Sequence, residues 1–138
     1  MKKIICIAAI VLVALPFSCA KKEAPQVLAQ VTFVVGESFQ LKNNDWVPLQ
    51  QGATLRENDR IKTEKEASVD IQIGESMVRV KEASEMTLSR MFKNADTGSE
   101  ENSLELSVGT LLAKPKKLAK DDSFSVKTPT AVAGVRGT

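Results

Sequence analysis

The 138 residues contain no histidine and no tyrosine, and only two cysteines and one tryptophan. Without imidazole, Ser-His-Asp and Cys-His catalysis are excluded, as are zinc sites built on histidine; two thiols are also too few for a thiolate-only site. Neither charge sign dominates, with 19 Lys+Arg against 17 Asp+Glu. Lys2 and Lys3 lie in a segment that reads as removable, and without them the charges balance. The pI near 8.6 therefore owes much to that segment, and the remainder gives no electrostatic case for nucleic acid. Long apolar runs are missing too: Ile4 to Leu15 is about 12 residues, short of the ~20 a helix needs to span a bilayer. With one Trp and five Phe, any core is aliphatic.

What is present starts with an address. Lys2 and Lys3 form a positive n-region, and Ile4–Leu15 has the length of a signal-peptide core. Pro16-Phe-Ser-Cys-Ala20 follows. A small residue directly before a Cys resembles the lipobox of bacterial lipoproteins, in which that Cys becomes the acylated first residue of the mature chain. Pro16 stands where that motif usually has Leu. The expectation is cleavage between Ser18 and Cys19 with lipidation of Cys19; the alternative is ordinary secretion with Cys19 as a lone thiol. Cys6 would leave with the signal peptide, so no internal disulfide can form. Each buried lipid methylene contributes ~0.8 kcal/mol, so several acyl chains anchor durably. The expected organisation is a signal peptide over 1–18, a tether over 19–28 and one domain over 29–138. Ala20 lacks the Asp that retains some lipoproteins at the inner membrane, which favours the outer membrane.

The rest of the chain alternates with period two. Val31, Phe33 and Val35 alternate with Thr32 and Val34. Phe39 and Leu41 alternate with Ser38, Gln40 and Lys42. The same pattern covers Val69–Ile73, Met77–Val80, Met86–Leu88, Leu104–Val108 and Phe124–Val126. Such alternation predicts half-buried strands, and turn residues recur at sandwich-like intervals. The expected fold is all-β, an antiparallel sandwich or roll of about 9–10 short strands. A short helix over Lys81–Leu88 competes weakly with a strand. Phe92–Asn102 reads as a long hairpin loop and Lys114–Asp122 as a second exposed loop. Trp46 should cap the core with its indole N–H paired. The tail, Thr128 to Thr138, is unusually apolar and suits a packed segment near a tight turn.

Carboxylate pairs are the remaining chemistry. Glu64 and Glu66, Glu100 and Glu101, and Asp121 and Asp122 read as solvated charges. A glycosidase pair needs carboxylates about 5–10 Å apart across a cleft, one with a raised pKa, and nothing suggests a cleft. Asp96–Glu100 offers oxygen ligands for calcium but lacks EF-hand spacing. Gly134-Val-Arg-Gly137 matches the Gly-x-x-Gly clamp of KH domains without its helical setting. Arg136 reads as a turn residue pairing with a carboxylate or carbonyls, or as part of an anion nest. Lys114, Lys116 and Lys117 read as a solvated loop, with weak contact to anionic headgroups or glycans as the alternative. The reading is non-catalytic, with no cofactor and no metal.

Three clusters in order resemble a known family. They are Trp46-Val-Pro-Leu49 with Gly52-Ala-Thr-Leu55 and Asp59-Arg-Ile-Lys-Thr63; Ser68–Ile73 with Gly74-Glu-Ser76; and Gly109 with Phe124–Pro129 and Ala133-Gly-Val-Arg-Gly-Thr138. Together they resemble the FecR domain of bacterial envelope proteins, from about Val31 to the end. The motif residues that the resemblance singles out are Trp46, Gly52, Asp59, Thr63, Gly74, Gly109, Thr128, Pro129, Arg136, Gly137 and Thr138. Asn58 takes the place of the family's usual Gly and tolerates a left-handed backbone, and Asp59 can bond neighbouring amides. Gly74-Glu75-Ser76 replaces the more usual Asp-Gly-Ser. The resemblance implies a further strand after Thr138, so the domain is expected to be truncated, to dispense with that strand, or to receive it from another protein. The functional expectation is a lipid-anchored envelope module that binds a protein or glycan. The alternative is a sensing component of FecR-type signalling, in which a regulator passes an outer-membrane signal to a sigma factor. That architecture needs a cytoplasmic region and a transmembrane helix, which the leader here replaces.

Overall fold

The computed structural model describes residues 29–137. The leader, Cys19, the tether and Thr138 lie outside the described residues. No helix occurs among those described, and the strands number twelve rather than nine or ten. They are β1 (Ala29–Val35), β2 (Ser38–Lys42), β3 (Asp45–Pro48), β4 (Thr54–Leu55), β5 (Arg60–Thr63), β6 (Ser68–Ile73), β7 (Ser76–Val80), β8 (Ser84–Lys93), β9 (Glu100–Val108), β10 (Leu111–Lys114), β11 (Ser123–Lys127) and β12 (Val132–Arg136). Strands β4, β5, β10 and β12 were not among the segments that periodicity marked. Lys81–Leu88 forms no helix; most of it belongs to β8. The loop expected over 92–102 shrinks to 94–99, because β8 and β9 extend into it.

Two sheets form a sandwich. One has the order β10-β7-β6-β1-β4, the other β12-β11-β9-β8-β5-β2-β3. All pairings are antiparallel except β9 with β11, which is parallel. An aliphatic core fills the space between them, built on Val31, Leu55, Ile61, Val69, Ile71, Ile73, Val78, Met86, Leu88, Leu104 and Phe124. Most of these core residues alternate with outward-facing neighbours along their strands, as the sequence pattern requires.

Two strands depart from their pattern. In β1 the register with β6 shifts between Val31 and Phe33. This bulge moves the following residues to the opposite face. Val31 is buried, but Phe33 is 52% exposed and pairs with Asp70 on the outer face, while Val34 turns inward. In β2 it is Ser38 and Gln40 that are buried, whereas Phe39 and Leu41 are half-exposed. Gln40 Nε2 donates to Asp59 Oδ2 at 2.9 Å, so an inward amide replaces an inward hydrocarbon. The aromatics of β1 and β2 are therefore not the core residues that alternation implied.

Candidate functional site

Four charged side chains meet where β9 begins and the connection from β10 to β11 passes between the sheets. Glu100 and Asp122 are buried, at 9% and 2% exposure. Lys116 Nζ lies 2.9 Å from Glu100 Oε2 and 3.4 Å from Asp122 Oδ2, and Lys93 Nζ lies 3.1 Å from Glu100 Oε1. Asp122 also accepts the backbone N–H groups of Glu100 at 2.8 Å and Ala119 at 2.9 Å. The Lys116 N–H donates to Ser76 Oγ at 2.9 Å. These contacts correct the reading of Glu100, Asp122 and Lys116 as solvated loop charges: with Lys93 the four charges balance, and they fix the connection to both sheets.

Their electrostatics oppose acid–base work. Burial pushes the Glu100 carboxyl up, but the hydrogen bonds from Lys116 and Lys93 outweigh it and hold the group below its ordinary value. The Glu100 amide, with help from the Ala119 amide and Lys116, holds Asp122 down. The carboxylates hold Lys116 up, led by its hydrogen bond to Glu100. A general acid needs a raised carboxyl pKa; both carboxyls here are kept ionised. In the 94–99 loop, Asn94 Oδ1 accepts the amides of Asp96 and Thr97, and Glu100 is turned to its lysines instead. No group of three metal-ligating side chains occurs among the described residues.

The second feature is an open side of the sandwich. β10 ends one sheet and β12 the other. Register places Ala113 opposite the buried Val78, and Val135 opposite the buried Phe124. Ala113 and Val135 therefore point to the inner side of their sheets, yet Val135 is 50% exposed. Ala113, Pro115, Phe124, Val126, Ala133 and Val135 line one groove there. The tail is thus a strand, as its composition suggested. It is an exposed edge strand entered through the Thr128–Ala131 turn, however, and not a packed segment; Arg136 sits at the end of β12 rather than in a turn.

A family model described as FecR protein matches residues 59–138. The chain belongs to the FecR family. No curated protein and no solved structure matches it.

FecR motif residues fall into structural roles. Trp46 and Gly52 precede the matched segment. Trp46 is 39% exposed and lies under the Arg60 guanidinium, 6.0 Å from ring centroid to Cζ. It does not cap the core, because it pairs with Leu41 on the outer face of β2–β3. Gly52, Asn58 and Gly74 all have positive φ at turns, as read from the sequence. Asp59 Oδ2 accepts the Arg56 amide at 2.8 Å. The buried Thr63 hydroxyl donates to Lys81 O at 2.6 Å and accepts the Ser84 amide at 3.1 Å, tying β5 to the start of β8. Thr128 and Pro129 build the β11–β12 hairpin, with Thr128 Oγ accepting the Ala131 amide at 3.0 Å. Gly137 packs directly on the Ala119 carbonyl, where any side chain would clash, and its N–H donates to Asp122 O at 2.9 Å. The Val-Arg-Gly motif thus locks onto the same connection as the Glu100–Lys116–Asp122 cluster. Sequence reasoning missed that cluster; the signal available was Lys116 and Asp122 bracketing one short connection.

Proposed function

We propose that this FecR-family chain is an exported, lipid-anchored envelope module that acts by binding a partner, protein or glycan, without catalysis. The observation that carries the reading is the open side of the sandwich. Inner-face residues Ala113, Ala133 and Val135 line an accessible groove between two edge strands. Apolar surface of core character left accessible next to unpaired edges marks interaction sites in monomeric proteins. The deeply buried Glu100–Asp122 carboxylate cluster is ion-paired, which supports a scaffold role for it. The anchor reading rests on Ser18-Cys19-Ala20 after the Ile4–Leu15 run.

Two measurements test this. Cys19→Ala, or globomycin, should abolish lipid labelling and release the protein from membranes; unchanged membrane association of the variant counts against anchoring. A photocrosslinking amino acid at Val135 should give a discrete adduct in intact cells, while the same group at Glu57, far from the groove, should not. Adducts at neither site, or equally at both, would remove the groove as the binding surface. Family membership also favours a second reading, a periplasmic sensing component of FecR-type sigma-factor signalling. In that case the Val135 adduct would contain a signalling protein.

A further inference from the structure

We infer that the open side takes an extended, acidic β-strand from a partner protein, added to the free edge of β10 and covering the inner face of β12. This rests on the binding reading above and specifies the occupant.

The geometry asks for a strand. The seven-stranded sheet has two strands more than its partner, and at this side Ala113 of β10 shares one groove with Phe124 and Val126 of β11 and Ala133 and Val135 of β12. A strand beside β10 would fill the missing position. Among the described residues β10 pairs only with β7, and β12 only with β11. Alternate residues of each edge therefore direct N–H and C=O groups outward without a sheet partner. Apolar side chains on every second residue of the added strand would cover Ala113, Ala133 and Val135, while its backbone pairs with β10. A lipid headgroup or sugar offers no such ladder.

Charge selects the partner's composition. Residues 111–137 carry six Lys and Arg against two Asp, whereas residues 29–110 carry nine against fourteen Asp and Glu. Of the six, Lys116 is neutralised inside the cluster. Lys114 and Lys117 are exposed and make no ion pair among the described residues. The outward residues of an added strand would lie among these cations, so glutamate or aspartate fits there and lysine does not. The same charge disfavours edge-to-edge pairing of two copies, since it would bring two basic edges together.

The test uses the mature chain and a peptide of about six residues alternating valine and glutamate, a common strand length. Fluorescence anisotropy should show binding at least about tenfold tighter than for the valine–lysine analogue, weakening with salt. Val135→Glu should abolish it, and amide exchange should slow over Leu111–Lys114. Methylating alternate peptide amides should remove binding in one of the two possible phases. Several results would overturn the proposal. These are equal affinity for acidic and basic peptides, indifference to methylation in both phases, or exchange protection of Leu111–Lys114 by self-association. Binding to phosphatidylglycerol vesicles without peptide binding would overturn it too, as would protection of those amides by residues following Thr138 in a longer form. A Val135 adduct in cells together with no peptide binding would overturn the strand mode and leave partner binding standing.

Discussion

Asp122 shows how much one buried side chain can organise. It accepts two backbone amides and faces Lys116, so it holds the β10–β11 connection closed on the end of β9. Asp122→Ala should leave both amides without their acceptor and Lys116 with Glu100 alone, and destabilise by about 2–3 kcal/mol. Urea unfolding would measure this; a change within the scatter of surface substitutions would contradict the role. The pH dependence follows from the same residues. Asp70, held down first by its paired hydrogen bonds from Arg79 at 2.6 Å, joins Glu100 and Asp122 in binding fewer protons folded than unfolded. Their stabilisation is full above the ordinary carboxylate range near about 4 and is lost as pH falls through the lowered folded values. Lys116 has the opposite sign: its contribution is full below its ordinary 10.5 and is lost as pH rises through the raised folded value. Unfolding midpoints should therefore drop at both extremes, and Asp122→Asn should flatten the acid limb. These residues were legible as charges in loops but not as partners, because 22 positions separate Glu100 from Asp122.

At the scale of the strand, the period-two pattern located most elements but not always their faces. Core strands β6 and β8 present the expected residues inward, and β9 does so for Leu104 and Leu106 but not for Val108, which is 59% exposed. β1 does not, because one bulge flips everything after Val31. The consequence is testable: Val31→Ser should destabilise by about 2 kcal/mol or more through cavity and buried-hydroxyl terms. Phe33→Ser should stay within roughly 0.5 kcal/mol, as surface changes do. The reverse order would mean that the bulge is absent. Turns were more legible, since their requirements are local. Gly109 has φ +97 and sits against Ser84, whose backbone and side chain would meet any Cβ. Ser84 Oγ in turn accepts the Thr110 amide at 2.9 Å. Gly109→Ala should destabilise by about 2 kcal/mol or more from strain and clash together, read as a lowered thermal midpoint. Periodicity missed β12, because a short glycine-containing strand at an edge buries nothing and leaves no alternation.

At the scale of the molecule, both sheets share one core, and their strands pair across long stretches of chain, as β1 does with β4 and β6. Such topology folds slowly, on the order of milliseconds to seconds, since loops must close before contacts form. Stopped-flow refolding in microseconds would contradict this arrangement. The charge distribution also belongs to this scale. The chain is nearly neutral overall, yet its last three strands and their connections are basic and the remainder acidic. Composition averaged over the chain hides that division.

By itself the sequence determined the all-β class, the turn residues Gly52, Asn58, Gly74 and Gly109, and the family. All of these depend on neighbours within a few positions, or on an ordered set of such local signals. Only the tertiary structure decided that Phe33 and Trp46 face outward, that Glu100, Lys116 and Asp122 form one cluster, and that β10 and β12 leave a side open. Those outcomes depend on which strand lies beside which. That choice is made by long-range packing of one shared core, and no local pattern of residues encodes it.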